Sequence, residues 1–148
     1  PRYLSSAASD VYKRQGVQTV LNPAPANKPT DVLLENTSWF IPNEVEFEEI
    51  YGEVFNEDNL LLFANDLKTN VVVTLGEKGC AYIKNNSVEI MNTDTVKAVD
   101  TTGAGDAFVG AFSFGVASKL EIEECLKLAL QKATDSVTKK GTQSSYKN

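Results

Sequence analysis

From residue 16 onward, short β-branched runs alternate with amphipathic helical patterns, and that alternation constrains the fold more than any other feature of the chain. VQTVLN (17–22) reads as a strand, because Pro23 and Pro25 forbid a helix there. TDVLLEN (30–36) reads as a short helix capped by Thr30 or Asp31, SWFIPN (38–43) as a second strand, and EVEFEEIYG (44–52) as a helix with acids at its positive end. NEDNLLLFANDLKT (56–69) has an amphipathic helical period and leads into NVVVTLG (70–76), the run of a buried strand. CAYIKNNSVEIMN (80–92) predicts a hairpin, with Asn85 and Asn86 able to take positive φ in its turn. Two helices follow, from about 104 to 118 and from about 121 to 139. Strands separated by helices predict an α/β fold with a largely parallel sheet.

Composition removes several classes of function. The chain has 148 residues, the length of one domain, and a formal net charge of -6 with no basic stripe to meet a polyanion, so nucleic acid is not an expected partner. Histidine is absent, which removes any Ser-His-Asp triad. Cys80 and Cys125 have no paired spacing for zinc and read as reduced, buried thiols of a cytoplasmic protein. No run approaches the roughly 18 apolar residues of a membrane span. Residues 1–15, PRYLSSAASDVYKRQ, carry neither helical nor alternating periodicity and no apolar core of a signal peptide. They read as a non-native leader resembling translated adapter sequence, or else as a disordered tail.

AVDTTGAGDAF (98–108) is the segment with the most chemistry in it. Val99 is expected to end a strand, and Gly103 and Gly105 permit close backbone approach before an apolar helix begins. The N–H groups of a helix start then face out as an anion site. Neither the dinucleotide spacing nor a P-loop lysine is present. Asp106 sits inside this loop. A carboxylate about 4 Å from a phosphate charge, at an effective dielectric near 20, costs about 4 kcal/mol per unit charge. The helix end returns roughly 0.3 to 1 kcal/mol. Such an acid needs another task or a cation: it is either a general base taking a proton from a hydroxyl, or a helix-start acid that complements the dipole, and the pattern leaves both open.

DTTGAGDAFVGAF (100–112) resembles the C-terminal signature of the ribokinase-like carbohydrate kinases, the PfkB family, and the resemblance runs over essentially all of residues 16–148. It implies a three-layer fold with helices on both faces of a mostly parallel sheet. It also implies Asp106 as catalytic base and the backbone of Gly103, Ala104 and Gly105 as an anion hole for the γ-phosphate. VLNPAPA (20–26) is similar to the family's mid-chain strand and turn. Asn43 and Glu46 in NEVE would together orient a hydrated Mg²⁺ near the nucleotide, where the residues alone read as a helix cap with first-turn acids. TLGEKG (74–79) looks like the nucleotide-contacting turn, with Thr74 on a phosphate oxygen and Gly76 and Gly79 close to the nucleotide; an ordinary hairpin turn has the same composition. The ending SVTKKGTQSS resembles a monovalent-cation segment, implying a potassium site from Asp100, Thr102, Ser136, Lys139, Gly141 and Ser145; its plain alternative is a helix end capped by Gly141. If Leu130 falls beside the adenine, where the family often has a polar residue, the base contact is apolar only.

The implied activity is ATP-dependent phosphorylation of a sugar hydroxyl, foremost ribose to ribose 5-phosphate, with Mg²⁺ and K⁺ as cofactors. Another sugar or nucleoside kinase of the family, or a noncatalytic nucleotide-binding module, are the alternatives. The family's sugar-binding Gly-Gly and Gly-Lys-Gly elements and its β-sheet lid have no counterpart here. Residues 16–148 therefore read as an incomplete fold, the C-terminal nucleotide-binding part, inactive alone. The family's dimer contacts lie largely on the lid, so a homodimer is a matter for the full-length protein.

Overall fold

The computed structural model describes residues 16–93 and 101–138. Its elements run β1 (Val20–Leu21), α1 (Asp31–Glu35), β2 (Trp39–Phe40), α2 (Glu44–Tyr51), α3 (Glu57–Leu67), β3 (Asn70–Thr74), a 3-10 turn (Gly76–Lys78), β4 (Cys80–Lys84), β5 (Ser87–Met91), α4 (Ala104–Ala117) and α5 (Ile122–Val137). The described residues fall into two compact parts, 16–75 with 81–90, and 76–80 with 91–93 and 101–138.

In the first part the five strands form one sheet in chain order. β1 pairs parallel with β2, and β2 parallel with β3, each step bridged by helix as the alternation predicts. β4 and β5 are joined through Asn85 and Asn86, whose φ of 49° and 61° make the turn a primed one that matches strand twist. That turn makes the pair antiparallel, so the sheet is mixed.

Local chemistry fixes the helix ends. The Thr30 hydroxyl accepts the Leu33 N–H at 3.3 Å, and the Asn56 side chain accepts the Asn59 N–H at 2.8 Å. Gly52 closes α2 in the left-handed region at φ 87°. α2 and α3 bury their apolar stripes against β3. Phe47 is the hub: its ring lies 5.1 Å from Phe63, 5.5 Å from Tyr51 and 5.7 Å from Phe55. Phe47, Phe40 and Leu60 are fully buried, each stabilising by about 1.5–3 kcal/mol relative to exposure.

In the second part α4 and α5 pack on each other across residues 118–121. Phe108 and Phe112 lie stacked, 6.4 Å apart, on the buried side of α4. At Gly115 the neighbouring helix leaves no room for a side chain: an added Cβ would sit 2.8 Å from the Cys125 Sγ and 3.2 Å from its Cα. Glycine is required there by the neighbouring helix rather than by the backbone.

Both cysteines are free and buried, as their spacing implied. Burial pushes the Cys80 thiol up to about 12, from an ordinary 9.0. Burial also raises Cys125, with Glu124 and Glu121 adding to it. Since the folded Cys80 holds its proton above the unfolded value, its contribution to stability is intact below pH 9 and is lost as pH climbs toward 12. Iodoacetamide at pH 8 is expected to leave Cys80 unmodified until urea unfolds the chain, and urea midpoints are expected to fall between pH 9 and 11. A native-state Cys80 alkylated as fast as free cysteine would contradict both expectations.

Candidate functional site

The site residues form two groups. The first lies at the C-terminal edge of the parallel strands, where open α/β sheets bind their ligands. An isolated parallel bridge joins Asn43, beyond the end of β2, to Thr74, the last residue of β3, and the Thr74 N–H donates to the Pro42 carbonyl at 3.0 Å. That bridge sets the start of α2 beside the end of β3. Asn43 caps α2: its Oδ1 accepts the Glu46 N–H at 2.8 Å, while the Glu46 Oε2 accepts the Asn43 N–H at 2.9 Å. The pair is therefore a complete capping box. Glu46 is buried and Asn43 exposed. Asn22, not singled out in the sequence, ties in the end of β1 by donating its amide to the Ile41 carbonyl at 2.7 Å. A polar residue just after a β run was the only local signal for it.

Asn43→Ala is expected to cost about 1 kcal/mol of folding stability, the ordinary value of a lost cap, with Asn43→Asp restoring it. Urea denaturation of the two variants measures this. Equal losses in both would show that the cap is not what Asn43 contributes.

After Thr74, the turn residues Gly76 and Gly79 differ in kind. Gly76 has φ 59° and an added Cβ would meet nothing within 4 Å. Gly79 has φ 103°, and a Cβ there would run into the Met91 carbonyl oxygen and come within 2.9 Å of the Asn92 Cα. Gly76 thus presents open backbone, while Gly79 is pressed by the chain itself.

The second group is the start of α4. The Ala104 N–H closes a turn onto the Thr101 carbonyl at 3.3 Å, Gly103 takes φ 85° as N-cap, and the Ala107 N–H donates to the Gly103 carbonyl at 2.9 Å. A glycine cap brings no side-chain acceptor, and none caps this helix. First-turn N–H groups lack intrahelical partners, so those of Gly105 and Asp106 face outward. Gly105 and Asp106 are both exposed, with Asp106 in the first turn. The arrangement combines oriented donors for an anion with one carboxylate for a proton.

Of the expected cation residues, Thr102 is exposed next to this loop. Ser136 is buried near the end of α5, its hydroxyl donating to the Ala133 carbonyl at 2.7 Å. Asp100, Lys139, Gly141 and Ser145 lie outside the described residues, as does the expected strand end at Val99. Leu130 is buried on α5 beside Leu126 and Ala129. A separate cleft, lined by Trp39, Asn65, Lys68, Asn70 and Tyr82, opens at the opposite ends of β2 and β3 and contains none of the site residues. Among the described residues, no helix is long and apolar enough to cross a membrane.

An α/β sheet with its polar site residues at the strand ends, followed by a glycine-capped helix bearing an acid, is the ribokinase-like fold. A ribokinase of Arabidopsis thaliana, solved in complex with ribose and ATP, is similar with a TM-score of 0.88 at 26% sequence identity, covering 98% of this chain and 49% of that one. The chain belongs to the pfkB family of carbohydrate kinases, whose family model matches residues 4–148. A deoxyribokinase of Salmonella typhi is 39% identical over 140 residues, covering 90% of this chain and 46% of the relative. A mouse ribokinase is 39% identical over 153 residues, covering 96% and 47%. The chain spans about half the length of the curated relatives it matches.

Proposed function

We propose that residues 16–148 are the C-terminal nucleotide-binding part of an ATP-dependent sugar kinase, with D-ribose as acceptor and D-ribose 5-phosphate and ADP as products. The observation that carries this reading is Asp106 in the first turn of a helix whose glycine cap leaves the neighbouring N–H groups outward. Asp106 takes the proton of the sugar's primary hydroxyl as that oxygen bonds to the γ-phosphorus and the bond to the ADP oxygen breaks. The backbone of Gly103, Ala104 and Gly105 forms the anion hole for the charge that develops on the phosphoryl oxygens, with the Gly105 N–H turned outward. Thr74 contacts a phosphate oxygen, and the open backbone of Gly76 lets the nucleotide approach. Gly79 belongs to the same turn and supports it.

Mg²⁺ fits this donor set as an ion that keeps most of its water, since Glu46 commits one carboxylate oxygen to Asn43 and keeps the other for a metal-bound water. When bound, the ion neutralises phosphate charge. K⁺ fits Thr102 and Ser136, because a hydroxyl that donates into its own helix still offers oxygen lone pairs. Asp100, Lys139, Gly141 and Ser145 would complete that site through carboxylate, hydroxyl and carbonyl oxygens. Such a cation softens the repulsion between Asp106 and the phosphate. The reading places the kinase in the cytoplasm, as a homodimer through its lid.

Similarity to a deoxyribokinase favours a second reading, in which 2-deoxyribose is the acceptor. The test is a phosphorylation assay of the full-length protein with ribose, 2-deoxyribose, fructose and adenosine, with and without potassium. Ribose is expected to give the highest kcat/KM, with potassium raising the rate, and the 148-residue chain alone is expected to be inactive. Nucleotide binding without transfer to any of the four would leave a noncatalytic module instead.

A further inference from the structure

The parallel ladder between β1 and β2 stops one donor short. Along it the Trp39 N–H reaches the Thr19 carbonyl at 2.9 Å, and the Ile41 N–H reaches the Leu21 carbonyl at 2.8 Å. The same alternation assigns the Ile41 carbonyl to the N–H of residue 23. Residue 23 is proline and has none. Ile41 is fully buried, where a carbonyl needs a protein donor. The Asn22 side chain supplies it, its amide donating to the Ile41 carbonyl at 2.7 Å. One residue on, the Pro42 carbonyl accepts the Thr74 N–H at 3.0 Å, and Asn43 then opens the capping box that holds Glu46. The run Ile41 to Asn43 is thus gripped from both sides, by Asn22 at the end of β1 and by Thr74 at the end of β3.

We propose that Asn22 is a positioning residue for the metal-binding side of the nucleotide site. The proposal rests on the sugar-kinase reading, in which Glu46 holds a water of the hydrated Mg²⁺ and Thr74 a phosphate oxygen. By holding the Ile41 carbonyl, Asn22 fixes where α2 begins. Glu46 is buried and commits Oε2 to the Asn43 N–H, so its other oxygen aims only as well as the Asn43 backbone is placed. A shift of the run Ile41 to Asn43 passes directly to that carboxylate, and it moves Glu46 relative to Thr74.

Calorimetric titration of the full-length protein with ATP, with and without Mg²⁺, tests this. Asn22→Ala is expected to weaken MgATP binding by about 10-fold, the lower end of what the outer partners of a metal site contribute, while metal-free ATP binding stays within about twofold. Asn22→Asp, equal in size but without the donor, is expected to do the same. Pro23→Ala supplies the specific control, because it returns a backbone N–H to the ladder. In that background Asn22→Ala is expected to weaken MgATP binding by no more than about threefold. A loss equal in the two backgrounds overturns the donor role. A loss equal with and without Mg²⁺ overturns the positioning of the metal. A lowered urea midpoint with MgATP affinity unchanged, in either Asn22 variant, also overturns the proposal and leaves Asn22 a structural tie. That result leaves the kinase reading intact, whereas a parent protein that binds no MgATP overturns both.

Discussion

Asp106→Asn in the full-length protein is expected to lower kcat by about 10²- to 10⁴-fold while ATP binding stays within about twofold of the original, the range that a general base contributes. Isosteric replacement removes the proton acceptor and keeps the helix start. Because the side chain is exposed on the first turn, the fold loses only the helix-end term of about 0.3–1 kcal/mol. Activity loss and stability loss are therefore separable. Single-turnover phosphorylation paired with calorimetric nucleotide titration makes the measurement. Turnover within tenfold of the original would remove Asp106 from the chemistry and leave it as a dipole acid.

Gly79→Ala is expected to destabilise the chain by about 2–5 kcal/mol, the sum of roughly 1–2 for an L residue at positive φ and 1–3 for overpacking. The obstruction is backbone, the Met91 carbonyl and the Asn92 Cα, so no rotamer change relieves it. Gly76→Ala at φ 59° meets open space and is expected to cost about 1–2 kcal/mol. Urea denaturation of the two variants gives the comparison, and equal losses would contradict it. Nucleotide affinity completes it: Gly76→Ala is expected to weaken ATP binding out of proportion to its effect on stability.

Legibility in the sequence followed the range of the forces involved. Thr30, the Asn43 and Glu46 pair and the Asn85-Asn86 turn act on backbone within three or four residues, and their positions are readable from type and spacing. Helix bounds came within a residue or two for the same reason. VQTVLN and SWFIPN have the pattern of six-residue strands, whereas β1 and β2 are two residues long, because pairing length is set by neighbours and not by β-branching. The bridge of Asn43 to Thr74 needs sheet register, which no local pattern contains. Glycines were the least legible. Gly79 looked like a place kept open for a ligand, yet the atoms that exclude a side chain come from Met91 and Asn92. The position of Asp106 fits a base and a dipole acid alike, since a helix start stabilises either.

The contact of Gly115 with Cys125 also sets a lever. Nine residues of helix separate Gly115 from Asp106, about 13 Å at a rise of 1.5 Å per residue. A tilt of about 4° pivoting there swings the carboxylate by roughly 1 Å, a displacement that can cost 10²-fold in rate. Under the proposed kinase reading, the aim of Asp106 is set from the connecting end of the helix pair, by a missing methyl group at Gly115.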